Sequence, residues 1–540
     1  MKKYIFLLSI AALGFTACQK DYLETTPEDQ VGTSTILGSA DNAKMALNGI
    51  CKAMSTQYLS TQGMNGEGTI LNWYGTFTGN DAQKCNQTGW AALWNSTYHL
   101  RKSSSYLYYP WYYYYKLVSN ANAIICNIDD AQGGEADKAF VKAQALTFRA
   151  YSFFRLAQLY SFRWKDTQGN TPGIVLRLDQ STGDFPLSTL TETYAQIYKD
   201  LDEAISLYQK SGQDRSDFYE PGLDVAYAVY AKAALTREDW QNAAKYAALA
   251  RQGHTLMTEA QYKDGFHTPN NEWIWGVYEA SDQTLYYYSF YAYIGANSSA
   301  GACRNYPVAI SKELIDQIPE TDTRRWLYLV PTEAEWAECN AAGRSTKTLY
   351  KRAFKEYGDR LYSTSLVYGY QQYKFLVDFY PGGGSFPIIR AAEMYYTEAE
   401  ADCHLNKEAE AQQLLFDAVK GYDAAYEKST KTGDDLLTEV KLYRRFDLWG
   451  EGNDWFDYKR WGEPIVRKSI KDGGSFHATF AVTIKPEDGN DWTWAIPEKE
   501  TDYKDTDDIR LLAHYHYCYY SFHELKKRRK RKRKCKRKSS

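Results

Sequence analysis

The sequence predicts a mainly α-helical fold in which helical hairpins form a scaffold for long, aromatic-rich loops. Apolar residues recur at spacings of three or four in several segments, which is the period of an amphipathic helix. Between these segments lie long stretches that are rich in Tyr, Trp, Gly and Asn. The chain of 540 residues also contains 48 Tyr and 15 Trp, more than a core needs. Because these side chains combine an apolar face with a polar tip, their number favours a wet binding surface.

Residues 138–251 predict the first group of helical hairpins. The first helix carries an apolar stripe that consists of Leu146, Ala150, Phe153, Ala157 and Tyr160. Further helices are predicted over 187–209 and over 225–251, where a turn near Arg237 separates two helices. After that turn, small residues share one face at Ala243, Ala247 and Ala250, which lets a partner helix approach closely. This pattern is similar to the second helix of a tetratricopeptide repeat.

Residues 388–420 predict a second hairpin of the same kind. Its two helices are marked by Ala392, Tyr395, Ala399 and Cys403, and then by Ala411, Leu415 and Ala418. Asn406 and Lys407 lie between them and predict the turn. No regular repeat length connects this hairpin to the first group. Generic helical hairpins therefore remain an alternative to tetratricopeptide-like ones.

Three stretches between the helices are long and aromatic, namely 63–105, 265–307 and 358–386. Long loops without secondary structure tend to carry function in compact domains. A sugar ring has an apolar face and a polar rim, so it is held by an aromatic side chain with amide, carboxylate or guanidinium groups nearby. We therefore predict a ligand site in the first two stretches.

The predicted ligand-binding residues are aromatic or polar side chains of these two stretches. They are Trp73, Tyr74, Asn80, Asp81, Trp90 and Trp94 in the first, and Tyr286, Tyr288, Tyr291, Arg304, Asn305 and Tyr306 in the second. The alternative is that these side chains pack the loops against the scaffold or contact a protein partner.

Enzyme motifs are sparse in this sequence. It contains no Gly-x-Ser-x-Gly, His-Glu-x-x-His or P-loop motif, so we predict no catalytic residue and no cofactor. None of the nine cysteines forms a Cys-x-x-Cys pair, so no metal site is expected either. A glycosidase, however, needs only two suitably spaced carboxylates, which 67 acidic residues could supply. A glycoside hydrolase therefore remains an alternative.

The charge of the chain argues against nucleic acid as a partner. The formal net charge is −3, but twelve Lys or Arg lie between Lys526 and Lys538. Without these twelve, 52 basic side chains stand against 67 acidic ones, a net charge of about −15 for the rest. A nucleic-acid-binding face requires clustered basic charge, which an acidic body does not favour.

The N-terminus predicts a lipoprotein signal peptide over residues 1–17. Two lysines precede an apolar run at 4–15, which is too short to span a bilayer because a spanning helix needs about 20 residues. A small residue then stands directly before Cys18, as lipoprotein signal peptidase requires. We expect cleavage before Cys18 and acylation of its thiol, with more than one acyl chain giving stable membrane attachment. The alternative is an ordinary secretory signal with a cysteine there by chance.

Five segments carry a resemblance to one protein family. They are CQKDYL from Cys18, AQALTFRAYSFFRL over 143–156, IIRAAEMYYTEAEA over 388–401, WGEGNDWFDYKRWG over 449–462 and WAIP over 494–497. In this order they resemble the RagB/SusD family of Bacteroidota surface lipoproteins, across nearly the whole mature chain. The resemblance assigns Trp449, Trp455 and Trp461 to the scaffold, and it places Trp111 and the tyrosines up to Tyr115 mostly in the core.

The resemblance implies both a fold and a role. The fold is the mainly α SusD-like one, with tetratricopeptide-like hairpins as the scaffold. The role is that of a lipid-anchored protein on the outer face of the outer membrane. Such a protein binds a glycan, or in some members a peptide, and delivers it to a partner SusC-like TonB-dependent transporter. A helical scaffold that contacts only protein remains an alternative.

These inferences divide the chain into four parts. Residues 1–17 are the signal peptide, 18–35 the lipid-anchored tether and 36–506 the SusD-like binding domain. Residues 507–540 depart from the family, whose members usually end soon after the segment like WAIP, and they end in a run of Lys and Arg. A run of like charges predicts a solvated tail. The tail either binds anionic lipid or polysaccharide, or it is an artefact of the gene end.

Overall fold

Helices dominate the computed structural model, which describes residues 37–59, 63–281, 288–342, 346–485 and 493–501. The predicted signal peptide, the tether with Cys18, the basic tail and Tyr286 lie outside the described residues. None of the described helices is both long enough and apolar enough to span a membrane. The six described cysteines are all free thiols.

The α-helices of the described residues are numbered here in chain order. They are α1 (Ala40–Ala53), α2 (Gly66–Thr69), α3 (Ala91–Trp94), α4 (Ser105–Asn127), α5 (Glu135–Tyr160), α6 (Trp164–Thr167), α7 (Leu190–Ser211), α8 (Leu223–Thr236), α9 (Trp240–Ala250), α10 (Glu259–Tyr262), α11 (Phe290–Ile294), α12 (Gly301–Arg304), α13 (Lys312–Ile315), α14 (Glu333–Ala342), α15 (Lys347–Tyr357), α16 (Ala391–His404), α17 (Glu408–Lys420), α18 (Gly433–Asp447), α19 (Asp454–Trp461) and α20 (Glu498–Thr501).

The strands are short and form two-stranded antiparallel sheets. They are β1 (Ala82–Lys84), β2 (Pro172–Val175), β3 (Leu187–Thr189), β4 (Trp273–Val277), β5 (Val308–Ile310), β6 (Phe386–Arg390), β7 (Ile465–Arg467) and β8 (Val482–Ile484). β1 pairs with β5, β2 with β3, β4 with β6, and β7 with β8. The predicted mainly α fold is confirmed.

Eight helices pack in succession to form the scaffold. α4 packs on α5, α5 on α7, α7 on α8, and α8 on α9. α9 then packs on α16, which also contacts α17 and α18. The two groups of hairpins predicted from the sequence therefore meet through α9 and α16, although β4 and the aromatic stretches separate them in the chain.

The turn between α8 and α9 lies where the sequence predicts it. Glu238 has a φ of 62°, and the Asp239 side chain accepts a hydrogen bond from the backbone of Asn242, which caps α9. Behind this cap, the three small residues of α9 are fully buried, including Ala243 and Ala247. Their size lets α8 and α16 pack against the same helix.

The aromatic stretches are more regular than the sequence predicts. The first contains a π-helix over Ile70–Thr76 and strand β1, and the second contains β4, α11 and α12. The expectation of long loops without secondary structure is therefore wrong for these two stretches. β1 and β5 pair with Lys84 opposite Val308, which joins the first stretch to the end of the second.

Many tyrosines are buried, contrary to the expectation that a core does not need them. The hydroxyl of Tyr109 donates to the carbonyl of Gly66 at 2.8 Å, and that of Tyr151 donates to Glu67 at 2.6 Å. The phenol tip thus meets a backbone or carboxylate acceptor inside the protein, which removes most of the cost of burying it. Trp111 and Tyr113 are buried as predicted.

The segment WGEGNDWFDYKRWG holds parts of the scaffold together. Trp449, Trp455 and Trp461 are buried, as predicted. Trp461 donates to Glu400 of α16 at 2.8 Å, and the backbone N–H of Asp81 donates to Asp454 at 2.7 Å. The segment therefore ties α19 both to the hairpins and to the first aromatic stretch.

A buried ionic cluster lies where β6, α16 and α18 converge. Arg390 donates to Glu451 at 2.7 Å and to Asp447 at 2.8 Å, and it also bonds Glu272. Lys374 donates to Glu451 at 2.6 Å. These side chains come from four separate parts of the chain, and all are buried. The remaining members of the cluster are Arg324, Asp322 and Tyr396.

We predict that Arg390→Met destabilises the fold by about 3–5 kcal/mol, because it leaves the buried Glu272 without a counter-charge and removes one of the cations that Asp447 and Glu451 face. The measurement is the free energy of unfolding in urea. Lys431→Met is the control, since the exposed Lys431 side chain pairs with Glu439 at 3.4 Å and its loss should cost about 0–1 kcal/mol. Equal losses in both variants would contradict a structural role for the cluster.

Candidate functional site

A surface cavity of about 420 Å³ lies between the first and second aromatic stretches. It is lined by Thr88, Gly89, Trp90, Tyr288, Gly301, Ala302, Asn305 and Tyr306. Four of these residues, Trp90, Tyr288, Asn305 and Tyr306, are among the ligand-binding residues that the sequence predicts. The fold brings them together because β1 pairs with β5 and so aligns the two stretches.

Trp90 is held in place by aromatic rings behind it. Its ring centroid lies 5.9 Å from Trp73, 5.9 Å from Trp94 and 5.6 Å from Tyr293. These three rings are buried, whereas Trp90 is half-buried and lines the cavity. Tyr288 stands edge-on to Trp90 at 5.9 Å. The aromatic wall is therefore fixed before any ligand arrives.

The rest of the lining is small or polar and uncharged. Asn305 is exposed, and its side-chain amide makes no hydrogen bond to the described part of the chain. Thr88 and Tyr306 add hydroxyl groups, while Gly301 and Ala302 leave room for a close approach. Such a surface suits a neutral molecule with one apolar face and a rim of hydroxyl groups.

A buried lysine supports the cavity from behind. Lys84 on β1 donates to the backbone carbonyl of Ala302 at 3.0 Å and to that of Tyr293. It thereby joins α11 to α12, whose Gly301 and Ala302 line the cavity. Burial lowers the pKa of the Lys84 ammonium to about 8, while the nearby thiols of Cys303 and Cys85 act in the opposite direction.

Four predicted aromatic contacts belong to the core instead. Trp73, Tyr74, Trp94 and Tyr291 are fully buried, which corrects the expectation that they contact a ligand. The hydroxyl of Tyr74 donates to the carbonyl of Tyr106 at 2.6 Å, and that of Tyr291 donates to the carbonyl of Ser385 at 2.9 Å. The hydroxyl groups of these two tyrosines are thus satisfied within the protein.

The predicted polar contacts Asn80 and Asp81 are also buried and structural. Asp81 accepts two hydrogen bonds from Arg445 of α18, at 2.7 and 2.8 Å. Asn80 accepts a hydrogen bond from the backbone of Val466 at 2.7 Å. Both residues therefore attach the first stretch to the scaffold, which corrects the sequence expectation. Arg304 lies outside the cavity lining and donates to Thr364 at 3.3 Å.

Sequence reasoning missed several residues of the site. Thr88, Gly89, Gly301 and Ala302 carry little chemistry of their own, and only their position beside an aromatic wall gives them a role. No local signal marks Lys84 as buried, because Asp81, three residues earlier, pairs with Arg445 instead. No group of His, Cys, Asp or Glu that could hold a metal occurs among the described residues.

Family comparisons cover nearly the whole chain. A model described as "Starch-binding associating with outer membrane" matches residues 21–235. A model described as "SusD family" matches residues 240–529, more than half of the chain. The chain belongs to the SusD family. This confirms the resemblance that the five sequence segments carry.

Solved structures with the SusD fold superpose over most of this chain. A SusD-like carbohydrate binding protein from Bacteroides vulgatus is 23% identical, with a TM-score of 0.71 over 86% of this chain and 96% of its own. A SusD superfamily protein from Bacteroides thetaiotaomicron is 20% identical, with a TM-score of 0.67 over 86% and 98%. Surface glycan-binding protein A from Bacteroides thetaiotaomicron, in complex with laminarihexaose, is 15% identical, with a TM-score of 0.63 over 86% and 97%. No curated protein matches the chain significantly.

The low pKa of Lys84 predicts a pH dependence of stability. Between the folded pKa of about 8 and the ordinary value of 10.5, the unfolded chain binds more protons at this residue than the folded SusD-family protein does. The contribution of Lys84 to the free energy of unfolding therefore rises with pH across that window, by about 3 kcal/mol in total. In Lys84→Met this contribution is absent.

The measurement is urea unfolding of wild type and Lys84→Met at several pH values across this window. The difference in the free energy of unfolding, wild type minus variant, should increase with pH. Titrating groups that do not interact with Lys84 are common to both proteins and cancel in the difference, whereas the thiols of Cys85 and Cys303 lose a nearby charge in the variant. Parallel pH profiles would show that Lys84 does not titrate with a lowered pKa.

Proposed function

We propose that this SusD-family protein is a surface-exposed outer-membrane lipoprotein, anchored through Cys18, that binds a glycan without chemically altering it. It then delivers the glycan to a SusC-like TonB-dependent transporter. The observation that carries the proposal is the cavity whose fixed wall contains Trp90 and Tyr288 and whose rim is polar and uncharged. The family description as starch-binding and the laminarihexaose complex of a similar structure support it.

The cavity offers the two kinds of contact that a sugar ring requires. The faces of Trp90, Tyr288 and Tyr306 can pack against the C–H face of a sugar. The amide of Asn305 and the hydroxyl of Thr88 can bond its hydroxyl groups. The rings behind Trp90 hold it in place, so little side-chain entropy is lost when a ligand binds.

The lining also favours binding over hydrolysis. A glycoside hydrolase needs two carboxyl groups on either side of the scissile bond. No Asp or Glu is among the residues that line the cavity. Of the acidic residues predicted near it, Asp81 is buried and bonded to Arg445. The alternative of a surface glycoside hydrolase therefore gains no support from this site.

The N-terminal sequence and the family support the proposed anchor and partner. The short apolar run before Cys18 and the small residue beside it support lipid attachment. The family description as associating with the outer membrane supports that location. A lipid-anchored binding protein has no means to move its ligand across a membrane, so delivery requires a transporter beside it.

We predict that Trp90→Ala weakens glycan binding about 5- to 150-fold, because one aromatic stacking contact contributes about 1–3 kcal/mol. The measurement is isothermal titration of the chain without its lipid cysteine against host and plant oligosaccharides and peptides, with chromatography of the products. Tyr278→Ala is the control, because Tyr278 is 48% exposed and packs against Phe218 and Tyr219, away from the cavity lining.

The outcomes separate the three functions. Saturable glycan binding that Trp90→Ala weakens, without any product, is the result expected for capture. Product formation would show a hydrolase instead. Absence of binding across the panel would favour the scaffold that contacts only protein. Binding that Trp90→Ala and Tyr278→Ala leave equally strong would place the glycan elsewhere on the surface.

A further inference from the structure

Helix α15 presents a row of lysines to solvent. Lys347, Lys351 and Lys355 follow one another at intervals of four residues, so their side chains lie on one face of the helix. All three are exposed, and none of them pairs with a carboxylate of the described residues. Since the chain without its basic tail has a net charge of about −15, this row is a local exception to an acidic surface.

The carboxylates that bond α15 pair with Arg352 and not with the lysine row. Arg352 donates to Glu335 of α14 at 2.8 and 2.9 Å and to Glu356 at 3.1 Å. Two further carboxylates of α14, Glu333 and Glu338, are exposed. The cationic surface is therefore confined to α15 and its other neighbours, and its lysines are left without counter-charges.

Aromatic rings border the lysine row. Tyr350 and Phe354 each follow a lysine by three residues, and their ring centroids lie 4.5 Å apart. Tyr350 is 40% exposed, while Phe354 is half-buried. Because residues three apart are neighbours on a helix surface, each ring lies beside the aliphatic stem of a lysine.

Trp326 extends this aromatic row past the end of α15. Its ring is 41% exposed and lies 5.0 Å from that of Tyr357, which is two helical turns after Tyr350 on the same edge of the helix. The charged groups of Lys263 and Arg360 each lie 5.1 Å from the centre of the Trp326 ring. Rings and cations thus alternate over one continuous surface.

We propose that this surface, the lysine row of α15 with Tyr350, Phe354 and Trp326, contacts the anionic headgroups of the membrane to which the protein is anchored. The inference rests on the lipid anchor in the proposed function. Lysine stems, Trp and Tyr combine an apolar body with a polar or charged tip, which suits the boundary between headgroups and acyl chains. The lysines supply the attraction to anionic lipid.

The tether is long enough to permit this contact. Eighteen residues lie between Cys18 and Leu37, the first described residue. A chain of that length spans at most about 60 Å, whereas a domain of about 470 residues has a radius of gyration of about 23 Å. The anchor therefore leaves the domain able to turn this face towards the bilayer.

The composition of the surface favours a membrane over a protein partner. Protein interfaces are enriched in Tyr and Trp but depleted of Lys, whereas interfacial membrane-binding helices combine Lys with aromatic residues. A basic surface also adds to the attachment that acyl chains provide.

The first test asks whether Trp326 meets the bilayer. The full chain without its lipid cysteine is mixed with vesicles of brominated phosphatidylglycerol, whose bromine atoms quench the fluorescence of a neighbouring tryptophan. The wild type should be quenched, and Trp326→Phe should lose most of that quenching. Trp164→Phe is the control and should be quenched as the wild type is, since the half-buried Trp164 packs on Tyr194.

The second test measures the affinity for vesicles that contain phosphatidylglycerol. Replacing Lys347, Lys351 and Lys355 together by Gln should weaken binding about 10- to 100-fold, with little effect on vesicles of phosphatidylcholine alone. The matched control replaces the exposed Lys199, Lys210 and Lys428 by Gln, which removes the same charge elsewhere and should change the affinity much less. The Lys and Arg run at 526–538 is present in every variant, so its contribution is common to all of them.

The outcomes separate this contact from the proposed function. Equal losses in the two triple variants, or bound protein whose Trp326 is not quenched, would overturn the contact. Unchanged vesicle binding in the α15 variant, with loss of binding to the transporter, would make the surface a protein interface instead. Mass spectrometry of the native protein tests the anchor separately, because an unmodified Cys18 would refute the anchor whatever the vesicles show. Oligosaccharide binding should be the same in the α15 variant and the wild type.

Discussion

The charge balance around Arg390 is the constraint on which the rest of the fold depends. Burial alone would raise the pKa of Asp447, but Arg390, Arg324 and Lys374 lower it below its ordinary value. Burial likewise acts to lower the pKa of Arg390, yet Glu451 and Glu272 raise it well above the ordinary value. The cost of burying each charge is offset only because the opposite charges lie beside it. The cluster therefore fixes how β6, α16 and α18 meet, and with them the frame that carries the aromatic stretches.

A series of contacts attaches the cavity to this frame and holds its walls in place. Asp81 bonds Arg445 on α18, which positions β1. Lys84 on the same strand bonds the carbonyls of Tyr293 and Ala302, which positions α11 and α12. The rings of Trp73 and Tyr293 then support Trp90. These contacts hold the aromatic wall of the cavity in place on the helical scaffold.

Sequence reasoning identified the fold and the neighbourhood of the site, but not which of its side chains face solvent. The hairpin around Asp239 follows from local pattern and capping, which act between residues close in the chain. Trp73 and Trp90 cannot be distinguished in that way, because both are tryptophans of one aromatic stretch. Only the π-helix over Ile70–Thr76 turns Trp73 into the core. Likewise, nothing near Lys84 in the sequence predicts that backbone carbonyls alone accept its ammonium group.

The abundance of tyrosine therefore has a structural origin more than a functional one. A buried phenol whose hydroxyl meets a carbonyl packs as well as phenylalanine and also fixes the backbone that accepts its bond. Of the rings that stay partly exposed, Trp90, Tyr288 and Tyr306 line the cavity and can contact a ligand there. Three such rings would contribute on the order of 3–9 kcal/mol before the cost of ordering the sugar. That limit implies weak, reversible binding, which is what the proposed delivery to a transporter would require.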